Sequence, residues 1–196
     1  MSKALVLSYP GCIMFEVMLA CELISKAHAI ELATFDGQPF VSTTGLIFQA
    51  HMSYADVNVQ DYNCLMVPGG DTQAVIENAT LEKILRTANA EKILIGAICA
   101  GPLLLAKAGM LKGRKFTHGF GEHYQEFLAP YWDGAEFVDE SVVVDGNIVT
   151  AKPEAHIDFG VMLARMTEAI ADDKEDYFRS FYKGNRLPEL APVQRC

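Results

Sequence analysis

Cys99 stands where the sequence could place a reactive thiol. It follows the apolar run at residues 93–98 and precedes Ala100, Gly101 and Pro102, so a strand ends and a helix begins among small residues. A sharp strand-to-helix turn exposes the side chain at its apex and needs small neighbours, as in a nucleophile elbow. N–H groups at the start of a helix favour thiolate over thiol. We therefore predict that Cys99 is a nucleophilic thiolate; the alternative is a buried structural cysteine.

Glu16 is a carboxyl group inside an apolar segment. Its neighbours in residues 13–19 are all apolar, and no lysine or arginine lies within one helical turn. Because burial disfavours the charged form, a buried Glu16 would keep its proton. A protonated carboxyl beside a thiolate can donate a hydrogen bond and later transfer the proton as a general acid–base. The alternative is that Glu16 lies on a narrow exposed edge of a helix, and the local sequence does not decide between the two.

Two further groups could complete such a site. Gly69 and Gly70 follow an apolar strand, and their N–H groups could join that of Ala100 in an oxyanion hole. The same glycines could also form an ordinary turn. His118 follows the predicted strand at residues 115–117 and could orient or deprotonate a substrate. The alternative for His118 is a structural histidine whose hydrogen bonds are satisfied within the fold.

The other histidines and cysteines suggest no second centre. No histidine has a cysteine or carboxylate partner at the spacing of metal ligands, so we expect no metal ion. His156 and Asp158 resemble the His-x-acid pair of amidotransferase triads, a weaker alternative because the pair follows Pro153 at the start of a predicted helix. The remaining cysteines of apolar elements are expected in the core: Cys12, Cys21 and Cys64.

Alternating apolar patterns predict an α/β fold that positions these residues. Strands are predicted at residues 4–8, 29–34, 64–67, 93–98 and 115–117, with a hairpin at Asp145-Gly146 between residues 142–144 and 148–150. Helices are predicted at residues 13–25, from Asp71 or Thr72 with a continuation capped by Thr80, at 102–108, at 122–128 and from Pro153 onward. This order predicts a mainly parallel sheet with helices on both faces, with functional groups at the carboxyl ends of the strands.

The composition is that of a globular domain with one substantial core. The chain has 196 residues, of which 51% are hydrophobic and 21% charged. A formal net charge of -9 without a basic stripe argues against binding nucleic acid or an anionic membrane. No apolar stretch has the length of a membrane span, and residues 1–7 do not form an export leader. We therefore expect a cytoplasmic protein with reduced thiols.

At these residues the sequence resembles the ThiJ/PfpI superfamily, a class I glutamine-amidotransferase-like group. The most specific match is the segment from Ala97 to Pro102 around Cys99. Shorter matches run in the order of the family over roughly residues 3–170: Tyr9-Pro10-Gly11 with Glu16, residues 65–70, residues 108–113, Thr117-His118 and residues 145–150. We assign residues 1–171 to a ThiJ/PfpI-like domain. Residues 172–196 are assigned to a C-terminal helical extension of the same domain, with a predicted aromatic stripe.

The resemblance implies a flavodoxin-like three-layer sandwich, usually a homodimer, that needs no cofactor and acts on a small-molecule substrate such as a reactive carbonyl compound. It also implies a catalytic set of Cys99, Glu16 and His118, with the N–H groups of the glycine pair and of Ala100 as donors. The implied activity is glyoxalase- or deglycase-like action on small 2-oxoaldehydes through a Cys99 thiolate. Two alternatives remain: a non-enzymatic redox sensor that works by oxidation of Cys99, and an isonitrile-hydratase-like hydro-lyase.

Departures from related patterns bear on that choice. The PfpI-type peptidases carry a histidine immediately after the cysteine, where this chain has Ala100, which argues against peptidase activity. Isonitrile hydratases usually have aspartate at the position of Glu16 and threonine after the cysteine, and both differ here. The residues at positions 16 and 100 therefore favour the hypothesis of glyoxalase- or deglycase-like activity.

Overall fold

A seven-stranded sheet is the central layer of the structure, a computed structural model that describes residues 2–185. The predicted α/β fold, with a mainly parallel sheet flanked by helices, is confirmed. Two small two-stranded sheets lie outside the central one. The strands in chain order are β1 (Lys3–Leu7), β2 (Ala29–Thr34), β3 (Phe40–Val41), β4 (Ile47–Phe48), β5 (Met52–Ser53), β6 (Tyr62–Val67), β7 (Leu94–Ile98), β8 (Lys115–Phe116), β9 (Glu136–Phe137), β10 (Val142–Asp145) and β11 (Ile148–Ala151).

Six α-helices lie within residues 2–185 and connect or cover these strands. The connections also contain short 3-10 turns, such as the one at Thr72–Ala74. The helices are α1 (Phe15–Ile24), α2 (Ala79–Ala90), α3 (Pro102–Lys107), α4 (Gln125–Leu128), α5 (His156–Met166) and α6 (Glu175–Tyr182). No helix of the described chain combines the length and the apolar character that crossing a bilayer requires.

The central sheet has the strand order β10-β11-β7-β6-β1-β2-β5. Every neighbouring pair in it is parallel except β10 and β11, which form an antiparallel hairpin. The predicted hairpin at Asp145-Gly146 is therefore confirmed, and Gly146 adopts the positive φ of 61° that its turn requires. The parallel arrangement brings the carboxyl ends of β1, β6 and β7 to one edge of the sheet.

Burial on both faces explains why β7 is a continuous apolar run. All five of its residues are buried, and helices α2, α3 and α5 all pack against it. Gly96 allows α5 to approach closely, because a Cβ atom there would lie 2.6 Å from Leu163 and 2.8 Å from Phe159. α1 packs against α5 in the same helical layer. The site at the end of β7 therefore rests on a strand held between two helical layers.

The structure corrects several predicted boundaries. The segment after residue 70 forms a 3-10 turn, in which the Asp71 side chain accepts from the N–H of Gln73, and not the first turn of a helix. Helix α2 begins only at Ala79, and its N-cap is Asn78, whose side chain accepts from the N–H of Leu81, so the predicted cap at Thr80 is wrong. Asparagine and threonine are both good N-cap residues, so the sequence alone does not distinguish Asn78 from Thr80 as the start of the helix. Strands β5 and β9 were not predicted, since each has only two residues.

The C-terminal segment is helical as far as the structure describes it. Arg179 and Lys183 pair with Asp158 of α5 and so fasten α6 to the body of the protein. Phe178 of the predicted aromatic stripe lies under the ammonium group of Lys26, 4.5 Å from the ring centroid, whereas Phe181 is half exposed. The rest of the predicted extension, residues 186–196, lies outside the described residues.

Candidate functional site

Three loops meet at the carboxyl edge of the sheet and form the site. They follow β1, β6 and β7 and contain Tyr9, the Gly69-Gly70 pair and Cys99. The first two loops are joined directly, because the N–H of Ile13 donates to the carbonyl of Gly69 over 2.9 Å. Residues distant in the sequence are thereby fixed against one another by backbone hydrogen bonds.

Cys99 occupies a tight, left-handed turn at the end of β7. Its φ is 62°, a conformation that non-glycine residues rarely adopt and that costs on the order of 1–3 kcal/mol. Two backbone bonds hold it: the N–H of Cys99 donates to Ala151 over 2.9 Å, and its carbonyl accepts from Gly119 over 2.8 Å. The predicted sharp strand-to-helix turn is present. Cys99 is half-buried, whereas the core positions expected for Cys12, Cys21 and Cys64 are confirmed.

Glu16 points into the protein and contacts the cysteine. Only 1% of its surface is exposed, which excludes the alternative of an exposed helix edge. Its Oε2 atom accepts from the N–H of Gly69 over 2.8 Å, and the neighbouring thiol of Cys99 also lowers the pKa of the carboxyl group. Its other oxygen, Oε1, is buried without a hydrogen-bond partner within residues 2–185. A carboxylate with one unsatisfied buried oxygen is costly, which favours a proton on this group.

Gly69 separates the two reactive side chains and leaves no room for a side chain of its own. A Cβ atom there would lie 2.5 Å from Cβ of Cys99, 2.8 Å from its sulfur and 2.8 Å from Oε2 of Glu16. Any other residue at position 69 would displace one of the partners. Glycine is required here by close approach, and this requirement explains the glycine pair better than an ordinary turn does.

Burial raises the pKa of Cys99 to about 12, and the charge and hydrogen bond of an ionised Glu16 act in the same direction. Burial also raises the pKa of Glu16, against the hydrogen bonds from Gly69 and Cys99 that lower it. The two groups therefore resist carrying negative charge together. Loss of hydration at the sulfur thus outweighs the turn amides, and the thiolate form of Cys99 stays a prediction. A thiolate at Cys99 requires that Glu16 hold the proton.

The predicted backbone donors divide between the two partners. The N–H groups of Ala100 and Gly70 hydrogen-bond to the sulfur and lower its pKa. The N–H of Gly69, also predicted as an oxyanion donor, is already bound to Glu16. Gly69 thus orients the carboxyl group, and the prediction of a free donor at that position is wrong.

His118 lies beside this cluster without a hydrogen bond to it. Its Nδ1 atom accepts from the N–H of Phe120 over 3.1 Å, and the ring stacks on Trp132 with centroids 5.2 Å apart. Burial lowers the pKa of His118, with a smaller contribution from the charge of Lys152, so the ring is neutral near pH 7. Within residues 2–185, His118 forms no hydrogen bond to Cys99 or Glu16, and its catalytic role stays a prediction.

The alternative pair His156 and Asp158 is not assembled. Asp158 accepts from Arg179 and Lys183, and the ring of His156 meets the edge of Phe15 at a centroid distance of 5.6 Å. The carboxylate of Asp158 is therefore paired with Arg179 and Lys183 and does not orient the imidazole of His156. Within residues 2–185, no three histidine, cysteine or acidic side chains are grouped so that they could hold a metal ion.

Tyr9 is a site residue that sequence reasoning missed. It is fully buried, and its hydroxyl donates to the carbonyl oxygens of Pro68 over 2.7 Å and Gly69 over 3.0 Å. These bonds fix the loop whose N–H groups bind Glu16 and the sulfur. The available signal was a tyrosine at a strand end beside Pro10-Gly11, but its partners lie about sixty residues away and no local pattern identifies them.

Comparisons with known proteins find relatives along most of this sequence. The sequence profile of the DJ-1/PfpI family matches residues 2–166. The chain is 31% identical over 131 residues to Deglycase PfpI of Pyrococcus furiosus, covering 66% of this chain and 76% of that protein. It is also 31% identical over 136 residues to Deglycase PH1704 of Pyrococcus horikoshii, covering 69% and 80% respectively.

Solved structures give the same picture of the fold. The DJ-1 superfamily protein Atu0886 from Agrobacterium tumefaciens superposes with a TM-score of 0.82 at 23% identity, covering 95% of this chain and all of that one. DJ-1beta of Drosophila melanogaster superposes with a TM-score of 0.77 at 26% identity and covers the same shares. The similarity of fold thus extends through nearly the whole chain.

Replacing Tyr9 by phenylalanine should disturb both stability and the thiol. The Tyr9→Phe change leaves the carbonyl oxygen of Pro68 without the hydroxyl donor and removes one of the two donors to the carbonyl of Gly69, which keeps the N–H of Ile13; the loss costs about 1–3 kcal/mol of unfolding free energy. The loosened Gly69-Gly70 loop should also slow alkylation of Cys99 several-fold at fixed pH. Urea unfolding and the rate of iodoacetamide labelling measure the two effects.

Tyr62→Phe is the matched control for this change. The Tyr62 hydroxyl donates to Glu31 over 2.6 Å at the opposite end of β6, away from Cys99. This variant should lose stability but keep the labelling rate of the parent protein. If the two variants label at equal rates once stability is accounted for, Tyr9 has no positioning role.

Proposed function

The chain belongs to the DJ-1/PfpI family, and on that premise we propose that it is a cofactor-independent cysteine enzyme with glyoxalase- or deglycase-like action on small 2-oxoaldehydes. One observation carries the proposal: a buried carboxyl group, Glu16, meets the half-buried sulfur of Cys99 around Gly69, at a left-handed turn. Sequence similarity to proteins named deglycases supports it. A nucleophile adjacent to a proton carrier suits addition to a carbonyl group.

The reactive form of the site holds one proton shared between Glu16 and Cys99. The sulfur has two backbone N–H donors, from Ala100 and Gly70, whereas the carboxyl group has one, from Gly69. A negative charge is better stabilised where more donors point, so the reactive form of the site carries the charge on sulfur and the proton on Glu16. This distribution also removes the carboxylate charge that would otherwise raise the pKa of Cys99.

The first step is addition of the thiolate to the aldehyde carbon. The carbon–sulfur bond forms while the electron pair of the carbonyl double bond moves to oxygen. That oxygen takes the proton of Glu16, which gives a hemithioacetal on Cys99 and leaves Glu16 as a carboxylate. Because Glu16 lies beside the sulfur, its proton moves only a short distance, from the carboxyl group to the oxygen of the adduct on Cys99.

The second step is a proton transfer between adjacent carbons. The Glu16 carboxylate removes the proton from the carbon bound to sulfur, giving an enediolate, and returns it to the neighbouring carbon while the hydroxyl proton moves to the other oxygen. The product is a thioester of a 2-hydroxy acid. Water, deprotonated by Glu16, then displaces the Cys99 thiolate, so the net reaction adds one water to the 2-oxoaldehyde without an external oxidant or reductant.

Methylglyoxal supplied without glutathione tests the proposal. The parent protein should form lactate, and Cys99→Ala should reduce the rate to the uncatalysed background, because no other described cysteine is accessible. Lactate is measured with a coupled dehydrogenase assay after the protein is removed.

Cys21→Ala serves as the control in the same assay. Cys21 is buried in α1 and contributes nothing to the site, so its variant should keep the parent rate. Lactate formation that persists in Cys99→Ala, or that is absent from the parent protein, contradicts the proposed activity.

A second candidate function is redox sensing at Cys99. The observation that favours it is selective exposure: of the cysteines in residues 2–185, Cys99 alone is not buried. Glu16 and the N–H groups around the sulfur could also hydrogen-bond a sulfinate.

Mild peroxide treatment followed by mass spectrometry tests redox sensing. Cys99 should gain two oxygen atoms before Cys12, Cys21 or Cys64 gains any, because peroxide oxidises accessible thiolates first. Oxidation of a core cysteine while Cys99 stays unmodified would contradict this function.

A further inference from the structure

A cavity of about 710 Å³ opens beside the cysteine site and is not used by the proposed chemistry. Its size lies within the range of small-molecule sites. Gly119 and Pro153 form part of its wall, and a Cβ atom on Gly119 would lie 3.0 Å from the Cα atom of Cys99 and 2.7 Å from Pro153. The backbone of Gly119 therefore separates the cavity from Cys99, and Cys99 itself does not line it.

The walls of the cavity are aromatic. The ring of His118 is nearly parallel to that of Trp132, at an interplanar angle of 13°, and lies 4.8 Å from that of Phe137. Phe120 closes the group at 5.6 Å from His118, in an edge-on arrangement. Phe137 is half exposed, so part of this aromatic surface is open to a ligand. A planar ring could pack against this open part of Phe137.

The rim of the cavity carries an excess of negative charge. Its charged side chains are three carboxylates, Glu122, Asp139 and Glu154, and one ammonium group, Lys152. Lys152 is bound to Asp139 over 2.5 Å, while Glu122 and Glu154 have no ion-pair partner within residues 2–185. His118 adds no positive charge, because burial lowers its pKa. The formal net charge of -9 on the whole chain also favours a cationic over an anionic ligand.

We propose that this cavity binds a small molecule that joins an aromatic ring to a protonated amine. The ring would lie against Trp132 and the half-exposed Phe137, and the ammonium group would be attracted by Glu122 and Glu154. An anionic aromatic compound would meet two carboxylates without a compensating cation. The inference goes beyond the cysteine chemistry and does not require it, since the binding groups are distinct from Cys99 and Glu16.

Tryptophan fluorescence reports on the cavity directly, because Trp132 is the single tryptophan of the chain. Four probes of similar size separate the two requirements: phenethylamine, phenethyl alcohol, hydrocinnamate and cyclohexylethylamine. Phenethylamine should change the emission saturably. Hydrocinnamate should bind about tenfold more weakly, and phenethyl alcohol and cyclohexylethylamine about threefold more weakly. Isothermal calorimetry repeats the measurement without an optical reporter.

Charge variants test the role of the rim. The double change Glu122→Gln and Glu154→Gln should bring the affinities for phenethylamine and hydrocinnamate to within about twofold of each other. Glu91→Gln, an exposed residue that does not line the cavity, should leave the tenfold difference in place. Cys99→Ala should bind phenethylamine as the parent protein does, which separates this inference from the proposed enzyme activity. Equal affinities for amine and acid in the parent protein, or no binding of the amine by either method, would overturn the proposal.

Discussion

A single buried space that cannot hold two negative charges is the constraint on which the site depends. Glu16 and Cys99 meet around Gly69, where a missing Cβ atom leaves room within 2.8 Å of both the sulfur and a carboxyl oxygen. Burial raises the pKa of each group, so at least one proton must remain between them near neutral pH. The position of that proton decides whether the protein presents a nucleophile or an inert thiol.

The fold stabilises this arrangement by connecting distant segments. Parallel strands β1, β6 and β7 deliver their loops to one edge, and Tyr9 ties the first loop to the carbonyl groups of the second. Cys99 is held in its left-handed conformation by backbone bonds to Ala151 and Gly119. A strained backbone conformation persists only where the surrounding structure holds it in place. Here the fully buried strand β7, which precedes the turn, provides that support.

Local patterns in the sequence predicted much of this framework but not its long-range contacts. The apolar run of β7, the small residues after Cys99 and the Asp145-Gly146 hairpin are local signals, and each corresponds to the observed element. The sequence left the burial of Glu16 undecided and missed Tyr9, because both depend on partners more than fifty residues away. Short strands such as β9 and the aromatic cavity depend on tertiary packing for the same reason. Predicting the pKa of Cys99 requires knowing how deeply the sulfur is buried, and no sequence pattern reports that.

The most direct test of the shared proton is the pH dependence of Cys99 alkylation, measured for the parent protein and for Glu16→Gln. If Glu16 holds the proton, the parent protein should show a half-point below the ordinary thiol value of about 8.5. That half-point should rise by about one pH unit in Glu16→Gln, because an amide is a weaker donor to the thiolate than a carboxylic acid. A parent half-point above 8.5 that falls in Glu16→Gln would mean that Glu16 is ionised and represses the thiolate, which contradicts the account.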